Sequence, residues 1–233
     1  MTAQKNRRHH PVLWTVKLIL KLFYHRHAVI GSQLVEPALP AVFICNHLNS
    51  YAPIILSLYF PFPFSPWVHS YIMDRSACPA FLEKDFAVKS LKLRPPLSRW
   101  TAAALTPLVI HLMHSLDAIP VYKNSMKIRD TFNRSIDVLC RGDNIIIFPE
   151  DPNQKFTEFL NEFQTGFVHL AWQYHKTTGQ QLRFYPVYVS QKTRTITIGR
   201  TIEYMPESGF HKERAHIAAY LRDTINDIAK IAG

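Results

Sequence analysis

Glycine, cysteine and acidic side chains are all scarce in this 233-residue chain, and each shortage narrows what the protein can be. Seven glycines leave no room for a flexible Gly-rich linker, and no low-complexity run or internal repeat divides the sequence, so its length is read as a single globular unit. The three cysteines, Cys45, Cys78 and Cys140, are odd in number, far apart and lack a C-x-x-C pair. That pattern argues against a zinc site or a disulfide framework and fits a reducing compartment. Only 17 Asp and Glu face 27 Lys and Arg, a formal net charge of +10 that draws the chain to polyanions. No zinc finger, RNP motif or basic zipper accompanies the charge, and the aromatics sit in apolar runs rather than between basic residues, so nucleic acid is not the expected partner.

Long uninterrupted apolar runs are missing too. Residues 42–68 contain no Lys, Arg, Asp or Glu, but Pro53, Pro61, Pro63 and Pro66 forbid a continuous helix there. Residues 101–116 are short for a bilayer crossing and carry Pro107, His111 and His114. No transmembrane helix is expected. The two histidines have no evident third ligand, so a partly buried helix face is expected in place of a metal site.

What the sequence does contain begins at its N-terminus. After the basic cluster Arg7, Arg8, His9 and His10 comes an apolar stretch, residues 12–24, interrupted by Lys17 and Lys21 four positions apart. On a helix these lysines form one cationic edge, with Trp14, Leu18 and Leu22 beside it and Leu13, Val16, Leu20 and Phe23 facing away. The pattern suits a helix lying in a lipid headgroup layer, and an ordinary core-packing helix with two solvated lysines is the alternative. Residues 1–30 are accordingly read as a basic amphipathic segment at an anionic membrane surface, and residues 31–233 as the globular domain.

Strand and helix patterns alternate through that domain. Apolar strands are predicted at 41–45, 118–121 and 145–148, a strand pair at 184–189 and 195–198, and helices from about 125 to Gly142, from near Phe163 to Gly179, and at the C-terminus. This predicts an α/β fold with a mixed sheet covered by helices. Ligands in such sheets gather outside the carboxyl ends of the strands. Three polar loops are expected there, at 46–50, 122–124 and 149–153, bringing His47, Lys123, Glu150 and Asp151 into range of one another. A histidine with nearby basic and acidic groups suits transfer chemistry on a phosphorylated molecule. Cys45 directly precedes the Asn46-His47 pair, which admits a Cys–His nucleophile reading as a minor alternative.

In order along the chain these loops resemble the four sequence blocks of the glycerolipid acyltransferases typified by lysophosphatidic acid acyltransferases. The first block is residues 43–53 with Asn46, His47 and Pro53; the second is 116–123, ending on Lys123. The third comprises Phe148, Pro149 and Glu150, followed by Gly166 at a helix start, and the fourth is 185–188 with Pro186. The resemblance covers residues 41 to the C-terminus. It implies an acyltransferase-like domain in which His47 is the general base and Asn46, Lys123, Phe148, Pro149, Glu150, Gly166 and Pro186 contribute to substrate binding. It also implies an acyl-CoA or acyl carrier protein donor, a lysophospholipid acceptor, no bound cofactor or metal, and residence at the cytoplasmic face of a membrane. The chain departs from the family at Ala52, where an aspartate usually orients the histidine, at Lys123, where an arginine is usual, and at Asp151, Pro152 and Asn153, where Gly-Thr-Arg is common. Asp151 and Glu150 are the carboxylates that could stand in for the missing aspartate. The same departures fit a catalytically impaired relative that binds lipid or a partner.

Overall fold

Ile, Val and Phe crowd three segments that are buried along nearly their whole length, as the central strands of a sheet covered on both faces must be. In the computed structural model, which describes residues 10–88, 91–122, 125–150 and 164–232, these are β2 (Ala41–Cys45), β5 (Asn144–Ile147) and β6 (Arg183–Ser190). The remaining strands are β1 (Ala28–Ile30), β3 (Phe64–His69), β4 (Ile119–Val121), β7 (Thr195–Ile198) and β8 (Ile202–Glu203). They form one eight-stranded sheet in the order β1-β7-β6-β2-β5-β3-β4, with β8 also on β6. From β6 to β4 all neighbours run parallel, whereas β7 and β8 are antiparallel to β6.

Side-chain alternation divides the core into two layers. Val42 and Ile44 of β2 and Ile145 and Ile147 of β5 pack with α6 (Ile128–Cys140), α7 (Val168–Thr178) and α8 (Phe210–Ala232). Ala41, Phe43, Cys45 and Ile146 face the other way, onto α2 (Tyr51–Tyr59). A smaller cluster joins α4 (Cys78–Leu82) to α5 (Leu97–Ser115), and α3 (Ser70–Met73) leads into it. The N-terminal α1 (Pro11–Phe23) lies against α2 and α5. Gly179 ends α7 with a φ of 72°, the left-handed cap expected there.

Three prolines lie inside strands, and each sits where a ladder hydrogen bond is not required. Pro66 marks the point at which β3 passes from pairing with β5 to pairing with β4. Pro120 lies on the edge strand β4. Pro186 falls between the stretches of β6 that pair with β8 and with β7, and its carbonyl accepts from the Gly199 N–H at 2.8 Å. The prolines of residues 42–68 therefore conceal a strand as well as ending a helix.

Two expectations change. The 101–116 stretch lies in a helix whose buried positions are Ser98, Ala102, Thr106 and Ile110, so His111 and His114 stand exposed rather than on a partly buried face. Phe163, expected to open the next helix, is outside the described residues, and α7 begins at Val168. Among the described residues no helix is long and apolar enough to cross a membrane, and no group of His, Cys, Asp and Glu could hold a metal ion.

Gly31 has a φ of 83°, and a β-carbon there would collide with the Ile198 carbonyl, whereas Gly142, at 82°, faces open space. Gly142→Ala is therefore expected to lose about 1–2 kcal/mol from the left-handed backbone alone, and Gly31→Ala more than that. Urea unfolding of both variants checks the difference.

Candidate active site

The end of β2 is fixed to β6 by one buried side chain. Asn46 is fully buried; its amide nitrogen donates to the Val189 carbonyl at 3.1 Å, and its Oδ1 accepts from the Val189 N–H at 2.8 Å. The amide that the sequence assigned to substrate is thus engaged at both ends with the framework, and its role here is to hold the next residue. Leu48 and Asn49 then take left-handed conformations, with φ of 44° and 57°, and turn the chain sharply into α2, where the Tyr51 N–H bonds the Leu48 carbonyl at 3.1 Å.

His47 sits on this turn at the carboxyl end of the sheet. Its backbone N–H donates to Glu150 Oε1 at 2.6 Å, and its ring meets Phe148 edge-on at 5.0 Å between centroids. The first and third polar loops are thereby in direct contact across adjacent strands. Burial pulls the imidazole from its ordinary 6.5 down to about 4, opposed by a backbone hydrogen bond with Asn49. Burial likewise pushes the Glu150 carboxyl from 4.5 up to about 7, opposed by the hydrogen bond from His47. At neutral pH His47 is therefore in the uncharged form that can accept a proton, and Glu150 is poised near its midpoint. Ala52 is fully buried in the first turn of α2, and its methyl group, at the position where the sequence resemblance led one to expect an aspartate, offers the imidazole no acceptor.

The other predicted site residues fall in different places. Pro149 is buried next to Glu150, and its carbonyl accepts from the Gln164 N–H at 2.9 Å, which closes the sheet end towards α7. Gly166 lies exposed in the turn before α7, with nothing within 4 Å of where a β-carbon would stand, so the backbone places no demand for glycine there. Pro186 is registered against Ile44 inside the sheet, and its ring packs on Gly199 beneath α8. That position is a framework one, away from the strand ends where the sequence expected a substrate contact. Lys123 and Asp151 lie outside the described residues. Tyr122, the residue before Lys123, sits at the end of β4, two strands from β5 and thus roughly 10 Å from it. Lys127 Nζ stands 5.8 Å above the Tyr122 ring. Cys45 is buried with its thiol held well above the ordinary range, chiefly by burial, and donates to Asn46 Oδ1 at 3.4 Å, so it is no nucleophile.

Sequence reasoning missed a second layer. Tyr51, four residues after His47, bonds through its hydroxyl to His27 Nε2 at 3.0 Å, and His27 Nδ1 is 2.9 Å from the His25 carbonyl. Tyr59 donates to the Tyr24 carbonyl at 2.7 Å, and the Tyr24 and Tyr51 rings lie 5.9 Å apart. Both hydroxyls are spaced for one face of α2, but no local pattern names partners so far back in the chain.

With this geometry in view, the chain can be set beside known structures. It matches the crystal structure of the 1-acyl-sn-glycerophosphate (LPA) acyltransferase PlsC from Thermotoga maritima with a TM-score of 0.57, covering 94% of this chain and 78% of that one. The fold is an acyltransferase fold. Sequence identity over the match is 11%, so the likeness is one of architecture. No protein-family model and no curated protein matches the sequence.

Asn46→Ala is expected to leave both backbone groups of Val189 buried without their partner and to cost about 2–5 kcal/mol by urea unfolding. A second prediction concerns pH. Between about 4 and 6.5 the unfolded chain holds a His47 proton that the folded protein rejects, so this group makes stability rise with pH. Between 4.5 and about 7 the folded protein holds a Glu150 proton that the unfolded chain has lost, so this group makes stability fall. The two slopes offset each other where they overlap. Because His27 and His169, also lowered by burial, add to the rising slope, the test is made relative to the parent protein: from pH 4.5 to 6.5 the urea midpoint of Glu150→Gln should rise more steeply than the parent's, and that of His47→Asn less steeply or in the opposite sense.

Proposed function

We propose that this protein transfers a fatty acyl group from a thioester, on CoA or acyl carrier protein, to the hydroxyl of a lysophospholipid or related glycerol phosphate. It does so bound peripherally to the cytoplasmic face of an anionic membrane, with α1 in the headgroup layer. The observation that carries this reading is the seating of His47 against Phe148 and Glu150 at the carboxyl end of the central strands. The fold shared with a solved acyltransferase supports it.

In this mechanism His47 takes the proton of the acceptor hydroxyl as its oxygen attacks the thioester carbonyl carbon. Collapse of the tetrahedral adduct breaks the C–S bond, and the departing thiolate receives the proton from the imidazolium. No acyl-enzyme forms and no cofactor is consumed. Glu150 acts as a positioning residue through the backbone of His47, Phe148 walls one side of the ring, and Asn46 holds the turn. The acceptor phosphate is met by basic groups of the loop after β4, Lys123 and Lys127, across the strand ends; the rest of the third block, Pro149, Asp151 and Gly166, borders the acceptor. Residues 31–233 form the catalytic domain and residues 1–30 its membrane segment.

A second reading rests on Ala52. With no carboxylate to raise and orient it, an imidazole held near 4 is a weak base, which suits a lipid-binding relative that does not turn over.

Free thiol and lipid product, followed together with acyl-CoA and a panel of lysophospholipids, separate the two. Acyl transfer is expected from the chain as it stands, with kcat/KM falling by at least about a hundredfold in His47→Ala and rising in Ala52→Asp. Turnover confined to Ala52→Asp, with lipid binding retained throughout, would establish the second reading.

A further inference from the structure

The helix α5 carries apolar residues on its outer side as well as on the side packed against α4. Its buried line runs through Ser98, Ala102 and Thr106 to Ile110, and the two hydroxyls on it are satisfied internally, Ser98 on Glu83 at 2.9 Å and Thr106 on the Ala102 carbonyl at 2.8 Å. The outward line runs through Leu97, Trp100, Ala103, Ala104, Pro107 and Leu108. Trp100 is 69% exposed and Leu97 52%. The inward side also packs Leu105 and Val109 with Ala102 and Ile110 against Cys78 and Leu82, and the outward line ends on the exposed His111 and His114. Single exposed apolar residues need no explanation, but Leu97, Trp100 and Leu108 stand at helical spacing and form one exposed apolar strip along the N-terminal part of the helix. At nineteen residues α5 extends about 28 Å along the surface.

The helix α1, which packs against α5, also has exposed apolar residues on its outer side. It has no buried residue, and its outer side carries Trp14 at 66%, Leu22 at 79% and Phe23 at 73% exposure. Basic residues edge both apolar sides. Lys92, Arg94 and Arg99 lie exposed at the N-terminal end of α5, and Lys21, His25 and Arg26 lie exposed at the C-terminal end of α1. Among the described residues, Arg99 pairs with the acid Glu83 at 3.5 Å. Cationic edges would repel a second copy of a chain whose net charge is +10, and they complement an anionic bilayer.

We propose that the outward side of α5, led by Leu97 and Trp100, is a second lipid-contacting surface beside α1. The two helices together set the protein on an anionic bilayer. This rests on the membrane-surface part of the function proposed above and is independent of the acyl-transfer part. A single amphipathic helix can swivel about its own axis, but two apolar sides on touching helices fix which way the domain faces the lipid.

The test compares the full-length protein with Leu97→Gln/Trp100→Gln and with Trp14→Gln/Leu22→Gln on phosphatidylglycerol/phosphatidylcholine vesicles and on phosphatidylcholine alone. Circular dichroism and Tm verify that these exposed substitutions leave the fold intact. Each double variant is expected to bind the anionic vesicles at least about tenfold more weakly. In a Trp14→Phe/Trp172→Phe protein, where Trp67 is partly buried on Ser135 and Trp100 is the exposed indole, brominated lipid should quench Trp100 on binding. Unchanged binding of the α5 variant with Trp100 unquenched would overturn the proposal and leave α1 acting alone. A dimer in sedimentation that the α5 variant dissociates would overturn it in favour of a second copy. Turnover of short-chain, monomeric substrates should be retained in the α5 variant, so its absence in the parent protein as well would count against acyl transfer and not against this surface.

Discussion

One buried amide makes the active-site end of this sheet possible. Parallel strands end in loops whose direction the ladder does not determine, and β2 leaves the sheet beside β6, which continues past it. Asn46 resolves this by giving both ends of its side chain to the Val189 backbone, so that β6 serves as a template for the residue following β2. Val189 donates and accepts within 3.1 Å of a single side chain, which is what a further strand residue would have offered. The left-handed turn at Leu48 and Asn49, the bond from the His47 backbone to Glu150, and the start of α2 all follow from the place at which this amide stops the strand.

Burial then decides the electrostatics. His47 and Glu150 are moved in opposite directions by the same cause, loss of water, and each comes to favour its neutral form. A site with this character is suited to moving a proton between neutral partners rather than to binding charge at its centre. Basic groups described at the sheet end, such as Lys127, stand out along β4, away from the imidazole.

Much of the fold was legible because hydrophobic periodicity is strong in the buried strands and in α6, α7 and α8. The runs at 41–45, 145–148 and 184–189 have the continuous apolar character of strands covered on both sides, and Gly179 marked a helix end by its chemistry. β3 was hidden because Pro66 reads locally as a breaker, and its tolerance depends on a change of partner that only the sheet order reveals. The outward apolar strip of α5 was unreadable for a related reason: the helix is apolar on two sides, and the sequence does not tell which of them faces the protein. In the candidate site, the proximity of His47, Phe148 and Glu150 was legible because ordered polar loops follow apolar strands. The framework duty of Asn46 and the contacts of Tyr51 with His27 depend on residues 143 and 24 positions away, beyond any local pattern.

The contacts between α1 and α2 bear on how this protein can be dissected. The Tyr24 carbonyl receives the Tyr59 hydroxyl, and His27 receives that of Tyr51, whose own helix begins at the histidine turn. The N-terminal segment is therefore part of the scaffold behind the imidazole as well as a candidate anchor. Cutting it away would confound two measurements, since lost adhesion and a slackened reaction centre would arrive together. Substitutions confined to its solvent side keep them apart.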